Sequence, residues 1–521
     1  MNLAILHHHL NRGGVARVIE NQLRALDTAA TAGETWRAAI LYGGRREGWN
    51  EDLPRQLRRI RLSLHEVPAL DYDSVRETNA CGAGSLADQV TAALSRLGLS
   101  PKSTVVHAHN HSVGKNVALP AALGLLAERG YRLLLEIHDF AEDLRPDNFR
   151  QFSERMAGGA PPAAWHGSLY PQARHIHYAV LNTRDLKILR DAGTDTDRIH
   201  FLPNPVTKTG SLPPRELARR KLAEQFGIDP DQRFILYPVR CIRRKNVGEA
   251  LLYSRLAPAG TFVGLTLPPL NPAEIPVYSA WKRAAEELGL PACFEVGAPG
   301  ALSFAENLSA ADLMLTTSVA EGFGMVFLEA WLTGNALVGR DLPEITIDFV
   351  QAGVQLGLLE PRLLVPMDWV GRERFRAGLA EAYGRALAAY GRPAPADLTR
   401  WIREKAQEDL VDFGDLDEPL QRRVLETACE SEHNRLRLFG SNPRVESALS
   451  IVPVGAAKRI EWNRDRIEER FSLASSGKRL LAIYRRLFAT VPQEERPAPL
   501  ESPERILDRF LDFNRFRMIR A

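Results

Sequence analysis

Cysteine is scarce in this chain: Cys81, Cys241, Cys293 and Cys429 lie far apart in 521 residues, and no two form a C-x-x-C pair. That spacing excludes a zinc ribbon and a disulfide framework, and it fits the reducing cytoplasm. Long apolar runs are missing as well. The longest, Val117 to Ala127, is interrupted by Pro120 and is shorter than the roughly 18 residues a membrane span requires. No transmembrane segment is expected, and peripheral contact with a membrane stays open. The N-terminus lacks a basic stretch followed by an apolar one, so no signal peptide is expected. Nor is there an excess of one charge: the net +3 gives no reason to expect nucleic acid as a partner. The local basic stretches RQLRRIRL (Arg55–Leu62) and NRFRMIRA (Asn514–Ala521) read as solvated helix faces, with a phosphate-bearing partner or a membrane surface as the alternative.

What is present is length and alternation. A chain of 521 residues exceeds one compact core, so two sizeable domains are expected. Short β-rich runs at Leu3–Leu6, Ala38–Tyr42, Thr104–Ala108, Leu133–Ile137 and His177–Leu181 alternate with helical patterns such as Gly84–Leu97 and Thr183–Ala192. The Pro-, Gly- and Thr-rich stretch Leu202–Pro214 reads as a linker, after which strands recur at Phe234–Pro238, Thr261–Leu265, Cys293–Val296, Leu313–Thr316 and Ala336–Gly339. Such alternation predicts an α/β protein with two parallel, Rossmann-like sheets. Ligands would then bind at the carboxyl ends of the strands, in a cleft between the domains. Beyond Asp348 the pattern is mostly helical. The expected division is 1–205, then 206–488 with a helical insertion at about 394–453, then a tail, 489–521, packing back on the first domain as an amphipathic helix from Pro503 to Ala521.

Three segments carry chemistry. In SVAEGFGMVFLEA, a strand ends at Thr316, Glu321-Gly322-Phe323-Gly324 forms a loop, and a helix begins near Met325 and Val326. The glycines allow a ligand close to the backbone, and a helix start offers N–H groups to an anion. Glu321 can accept from sugar hydroxyls and Glu329 from a ribose, although a capped helix with an acidic first turn is the plainer reading. In YPVRCIRRKN, Arg240 and Lys245 follow a strand and suit a diphosphate, or else line a solvated basic loop. In LLLEIHDF, a strand delivers His138 and Asp139 to its carboxyl end; such a pair is also a common local structural bond. The opening MNLAILHHHLNRGG puts His7, His8 and His9 between a strand and Gly13-Gly14. They read as a pocket edge, as core or surface histidines, or as a metal site. If the strand continues through them, His7 and His9 face one way and His8 the other. No carboxylate or thiolate stands beside them in sequence, so no metal site is assigned.

Together RGGVARVI, EIHDF, LPNPV, VRCIRRKN and EGFGMVFLEA resemble the family 4 glycosyltransferases, over about Met1–Asp348 and the segment around Ile460–Phe488. The resemblance implies the GT-B fold, retention of anomeric configuration and a nucleotide-diphosphate sugar as donor, with no metal or other cofactor. Carried over by motif, Gly13 and Gly14 approach the donor phosphate, Arg240 and Lys245 hold the diphosphate, and Glu321 lies by the donor sugar. Glu329 binds the ribose, His138 contacts the transferred sugar, and Gly322, Phe323, Gly324, Met325 and Val326 line the donor. The acceptor side is assigned to His9, Arg12, Asp139 and Arg145, within a wider segment reaching Arg150, Trp165, His166 and Tyr170. Three features depart from the pattern: RDLPEI (Arg340–Ile345) replaces a glycine-rich turn, and the insertion and the tail are extra. The expected function is hexose transfer from a UDP-glucose or GDP-mannose type of donor to a small-molecule, glycan or lipid-linked acceptor in the cytoplasm. A nucleotide-sugar epimerase or hydrolase and a non-catalytic sugar-nucleotide-binding protein are the alternatives. Neither the oligomeric state nor the donor's base has a signature in the sequence.

Overall fold

Strand β1, Asn2–Leu6, is an apolar run whose last four residues are buried, as a central parallel strand requires. The computed structural model describes residues 2–31, 35–75, 82–156, 158–207, 210–450, 453–492 and 495–521; Cys81 lies outside them. The chain divides into two compact units, Met1–Thr207 with Glu469–Phe513, and Lys208–Glu468 with Asn514–Ala521.

In the first unit β1 is joined by β2 (Trp36–Tyr42), β3 (Ile60–Glu66), β4 (Thr104–His109), β5 (Arg132–Ile137), β6 (Ile176–Val180) and β7 (Ile199–Phe201) in a parallel sheet of order β3-β2-β1-β4-β5-β6-β7. The edge strand β3 corrects the reading of RQLRRIRL as a helix face. Only Leu53–Gln56 is helical there. Beyond it Ile60, Leu62 and Leu64 alternate with polar residues at period two, and that pattern makes a strand.

The helix Gly14–Ala29 packs against the helix Leu473–Ala489, and Ile19, Leu23 and Leu26 share one core with Leu480, Ile483, Tyr484 and Leu487. Gly477 permits the close approach, because a Cβ there would stand 2.1 Å from the Ala25 carbonyl oxygen. The helix expected to end the second domain therefore belongs to the first. Its apolar face is buried there, at about 1.5–3 kcal/mol for each large side chain. The helix Pro453–Phe471 precedes it, and the two are broken at Ser472, whose hydroxyl caps Leu473–Ala489 by accepting from Ser475 N at 3.3 Å.

The tail is also divided. Its helix stops at Phe510, where Phe510 packs on Phe140 with ring centroids 5.2 Å apart. Asn514–Ala521 belongs to the second unit, where Arg517 pairs with Asp415 at 2.9 Å and Phe516 packs edge-on to Tyr383. A continuous helix to Ala521 fails because Arg515, Arg517, Phe516 and Met518 each find separate partners or burial there.

The second unit holds β8 (Arg233–Arg240), β9 (Thr261–Leu267), β10 (Ala292–Phe294), β11 (Leu313–Thr316), β12 (Ala336–Arg340) and β13 (Leu359–Glu360), parallel in the order β10-β9-β8-β11-β12-β13. The ribbon β14 (Leu364–Pro366) and β15 (Leu410–Asp412) is antiparallel. The insertion is thus part of the unit. It supplies β15 and the buried Asp412, which with Glu249 brackets Arg340 at 2.7 and 2.6 Å. Removing one member would strand a buried charge, at a cost of about 3–5 kcal/mol. No helix among the described residues is long and apolar enough to cross a membrane.

Candidate active site

Strand β8 delivers its carboxyl end into a tight turn, Arg243–Lys245, closed by Asn246 in the left-handed region at φ 51°. The strain is held by buried side chains. Gln421 donates to Asn246 Oδ1 at 2.8 Å, and Asn246 Nδ2 donates to Glu249 at 2.6 Å. The Tyr237 hydroxyl donates to the Lys245 carbonyl at 2.7 Å and the Thr317 hydroxyl to the same carbonyl at 2.9 Å. A turn fixed on both sides aims its side chains. Arg244 Nη1 donates to Glu321 Oε2 at 2.7 Å, and Lys245 Nζ donates to Glu321 Oε1.

Glu321 is almost fully buried in the loop after β11. Burial alone would push its carboxyl up. Lys245 and Arg244 outweigh that and hold it at about 2, so it is ionised at neutral pH. Gly324 follows at φ 81°, where a Cβ would meet the Phe327 ring at 2.6 Å; glycine is required there. The helix Val326–Leu332 has only seven residues, so most of the positive charge at this site comes from side chains. Glu329 is half-buried in its first turn. Of the predicted pair of cations, Lys245 reaches Glu321, whereas Arg240 donates to the Pro268 carbonyl at 2.9 Å. Arg244, which the sequence reading passed over, is the second cation that reaches Glu321. Its signal was the unbroken Arg243-Arg244-Lys245 run, too common a pattern to single out one member.

In the first unit His138 directly follows β5, buried, within a polar network that the sequence reading missed. Glu136 accepts from Gln22 Nε2 at 2.8 and 3.0 Å and lies 2.9 Å from His107 Nε2 and 3.4 Å from His138 Nε2. His109 Nδ1 is 3.0 Å from His138 Nε2. Burial lowers the pKa of His138, and lowers those of His109 and His7 further, so these imidazoles are neutral at pH 7. The signal was present: His107 and His109, like Glu136 and His138, are two apart on adjacent strands, hence on one face. Among the described residues His107, His109 and Glu136 are the set close enough to hold a metal, within 4.8 Å of one another. Gln22, Tyr484 and the mutual contacts already engage Glu136 and both nitrogens of His107, whereas His109 Nε2 is buried without a hydrogen bond.

The opening histidines do not alternate, because β1 stops at Leu6. His7 and His8 are buried, His8 Nδ1 lies 3.0 Å from the Leu70 carbonyl, and the rings of His8 and His9 both pack on Tyr72. Gly13 and Gly14 are exposed at the start of the helix Gly14–Ala29, which has no side-chain cap. A Cβ on Gly14 would touch nothing within 4 Å, so packing does not explain the glycine. Arg12 is exposed beside them. Asp139 and Arg145 pair with each other at 2.5 Å. Trp165 and His166, expected on the acceptor side, are instead core: His166 bonds the buried Glu142 at 2.6 Å, and Trp165 packs on Phe149 and Phe152. Arg150 is exposed and paired with Asp147.

No family model matches the chain. Among curated proteins it is 26% identical over 442 residues to mannosylglucosyl-3-phosphoglycerate synthase of Petrotoga mobilis, an alignment covering 84% of this chain and 82% of that protein. It is 26% identical over 314 residues to α-maltose-1-phosphate synthase of Mycolicibacterium smegmatis, covering 59% of this chain and 76% of the relative. Similar solved structures include sucrose-phosphate synthase of Thermosynechococcus elongatus (TM-score 0.55, 14% identity, 94% of this chain and 99% of that one). HepE of Anabaena, in complex with UDP and glucose, is also similar (TM-score 0.51, 13% identity, 93% and 99%). At such identities the structures speak for the fold. Two parallel α/β sheets, a helical C-terminal region and these similar structures give the chain the GT-B fold that its resemblance to family 4 implies.

Proposed function

We propose that this chain is a retaining glycosyltransferase that moves a hexose from a nucleotide-diphosphate sugar, of the UDP-glucose or GDP-mannose type, to a small acceptor. The observation that carries the reading is the convergence of Arg244 and Lys245 on the ionised Glu321, beside the Gly322–Gly324 loop at the carboxyl ends of the second sheet. Two cations held by one carboxylate are preorganised for an incoming diphosphate. Glu321 keeps their charge in place until the donor arrives. The names of both curated relatives describe phosphorylated products, which supports a phosphate-bearing acceptor.

In the reaction, the bond from the anomeric carbon to the diphosphate oxygen breaks and a bond to the acceptor oxygen forms on the same face. The acceptor's proton passes to the departing phosphate. Arg244 and Lys245 stabilise the charge that develops on that leaving group, with Arg240 nearby at the end of β8. One such donor contributes about 2.7–4 kcal/mol. These side chains supply the positive charge that a divalent ion would otherwise bring, so the reading needs no metal. A thermal-shift screen of UDP, GDP, ADP and dTDP tests it, because a ligand of the folded state raises the melting temperature. At least one nucleotide should do so in the wild type and fail in Lys245→Ala. No shift with any of them contradicts the reading.

A further inference from the structure

Lys115, in the loop after β4, is a half-buried lysine with no carboxylate within ion-pair distance among the described residues. Burial lowers its pKa and the neighbouring Arg145 lowers it further, against a smaller opposing effect of Asp147. Its backbone is firmly held. Gly114 is at φ 78°, where a Cβ would stand 2.4 Å from the Asn148 carbonyl oxygen, and Asn148 Nδ2 donates to the Val113 carbonyl at 2.8 Å. The buried Asn116 donates to the Ala69 and Asp71 carbonyls at 2.8 and 3.0 Å, and Asp73 N donates to the Lys115 carbonyl at 2.8 Å. A lysine in a loop this well fastened is placed, and among the described residues no carboxylate pairs directly with its charge.

The Lys115 ammonium lies 5.9 Å from the centre of the Tyr72 ring, and the Arg45 guanidinium lies 5.2 Å from the same centre. His9 stands edge-on to that ring at 5.0 Å. The Tyr72 hydroxyl has no hydrogen bond among the described residues, and His9 Nδ1 is buried without one. His9 is held at about 4, chiefly by burial and then by Arg45, so it is neutral at pH 7. The nearby carboxylates are all engaged. Asp71 takes Arg45 at 2.7 and 2.5 Å, Asp139 takes Arg145, Asp147 takes Arg150, and Asp73 accepts from Val117 N at 2.9 Å. What remains uncommitted is an ammonium, a phenol and an imidazole, all at the carboxyl ends of the first sheet. Those are the groups an anion takes.

We infer that Lys115, Tyr72 and His9 form an anion subsite that receives a phosphate or carboxylate of the acceptor. The inference rests on the glycosyltransferase reading only in calling that ligand the acceptor. Calorimetric titration of the full chain without nucleotide tests it, with inorganic phosphate, glycerol 3-phosphate, D-glycerate and 3-phospho-D-glycerate as probes and glucose as the neutral control. Saturable binding of glycerol 3-phosphate identifies a phosphate site, and binding of D-glycerate a carboxylate site. In either case Lys115→Met should weaken binding at least tenfold, and Lys115→Arg should stay within about threefold of wild type. Binding of no anionic probe, or equal binding by wild type and Lys115→Met, overturns the subsite. UDP and GDP binding to the wild type, measured separately, tests the donor reading, so the two can fail independently.

Discussion

The Tyr484 hydroxyl and His107 Nδ1 stand 2.8 Å apart, joining positions separated by 377 residues. Both are buried, and His107 passes the contact on to Glu136 and thence to His138. Tyr484→Phe should therefore leave His107 Nδ1 without a partner and lower stability by about 1–3 kcal/mol. Urea denaturation of the two proteins measures this; identical midpoints would mean that the bond carries nothing.

Acid should act on the same network. His7, His109 and His138 have folded pKa values below their unfolded value, because burial disfavours the cation. For such a base the unfolded chain binds protons that the folded one refuses. Stability is then full above about pH 6.5 and falls as pH drops below it, before most carboxylates titrate. Denaturation midpoints measured from pH 8 to pH 5 should decline across that interval. A flat profile would place the protonated histidines comfortably in the fold.

Much of this was legible in the sequence, and what was missed has physical causes. The apolar runs of β1, β4, β5, β8 and β11 and the loops after them carry their pattern locally, so they could be read one segment at a time. The Glu321–Lys245 pair was implied by placing both residues at strand ends. The pairing of Arg244 with Glu321 was not legible, because a turn of three basic residues shows which one faces inward only once Asn246, Tyr237 and Thr317 fix it. Likewise nothing local says that Leu473–Ala489 packs on Gly14–Ala29; only the matching apolar faces and Gly477 do. Trp165 and His166 misled because an aromatic and a histidine after a functional strand suit a pocket as well as a core.

The two glutamates should separate kinetically. On the proposed reading Glu329 holds the donor ribose in ground and transition states alike, so Glu329→Ala should mainly raise the donor KM. Glu321→Ala removes the anchor of Lys245 and, on the proposed reading, the group beside the reacting sugar, and should mainly lower kcat. Small, equal effects on both constants would sink the assignment.

Among the cations, Arg244→Ala and Lys245→Ala should each lose activity by about a hundredfold or more. Arg240→Ala, whose guanidinium is spent on the Pro268 carbonyl, should lose less. Transfer should survive EDTA. Rescue of chelated enzyme by Mg²⁺ or Mn²⁺ would show that side-chain charge alone does not carry the diphosphate.

The central claim is group transfer from a nucleotide sugar at the Glu321–Lys245 site, and proton NMR of the reaction tests it most directly. The protein is incubated with UDP-glucose or GDP-mannose and a phosphorylated acceptor such as 3-phospho-D-glycerate or a glycoside of it. The predicted result is loss of the donor's anomeric signal, release of the nucleoside diphosphate, and a new α-anomeric signal on the product, all abolished in Lys245→Ala. A product of β configuration would contradict retention. Donor consumption equal in wild type and Lys245→Ala would contradict the site itself.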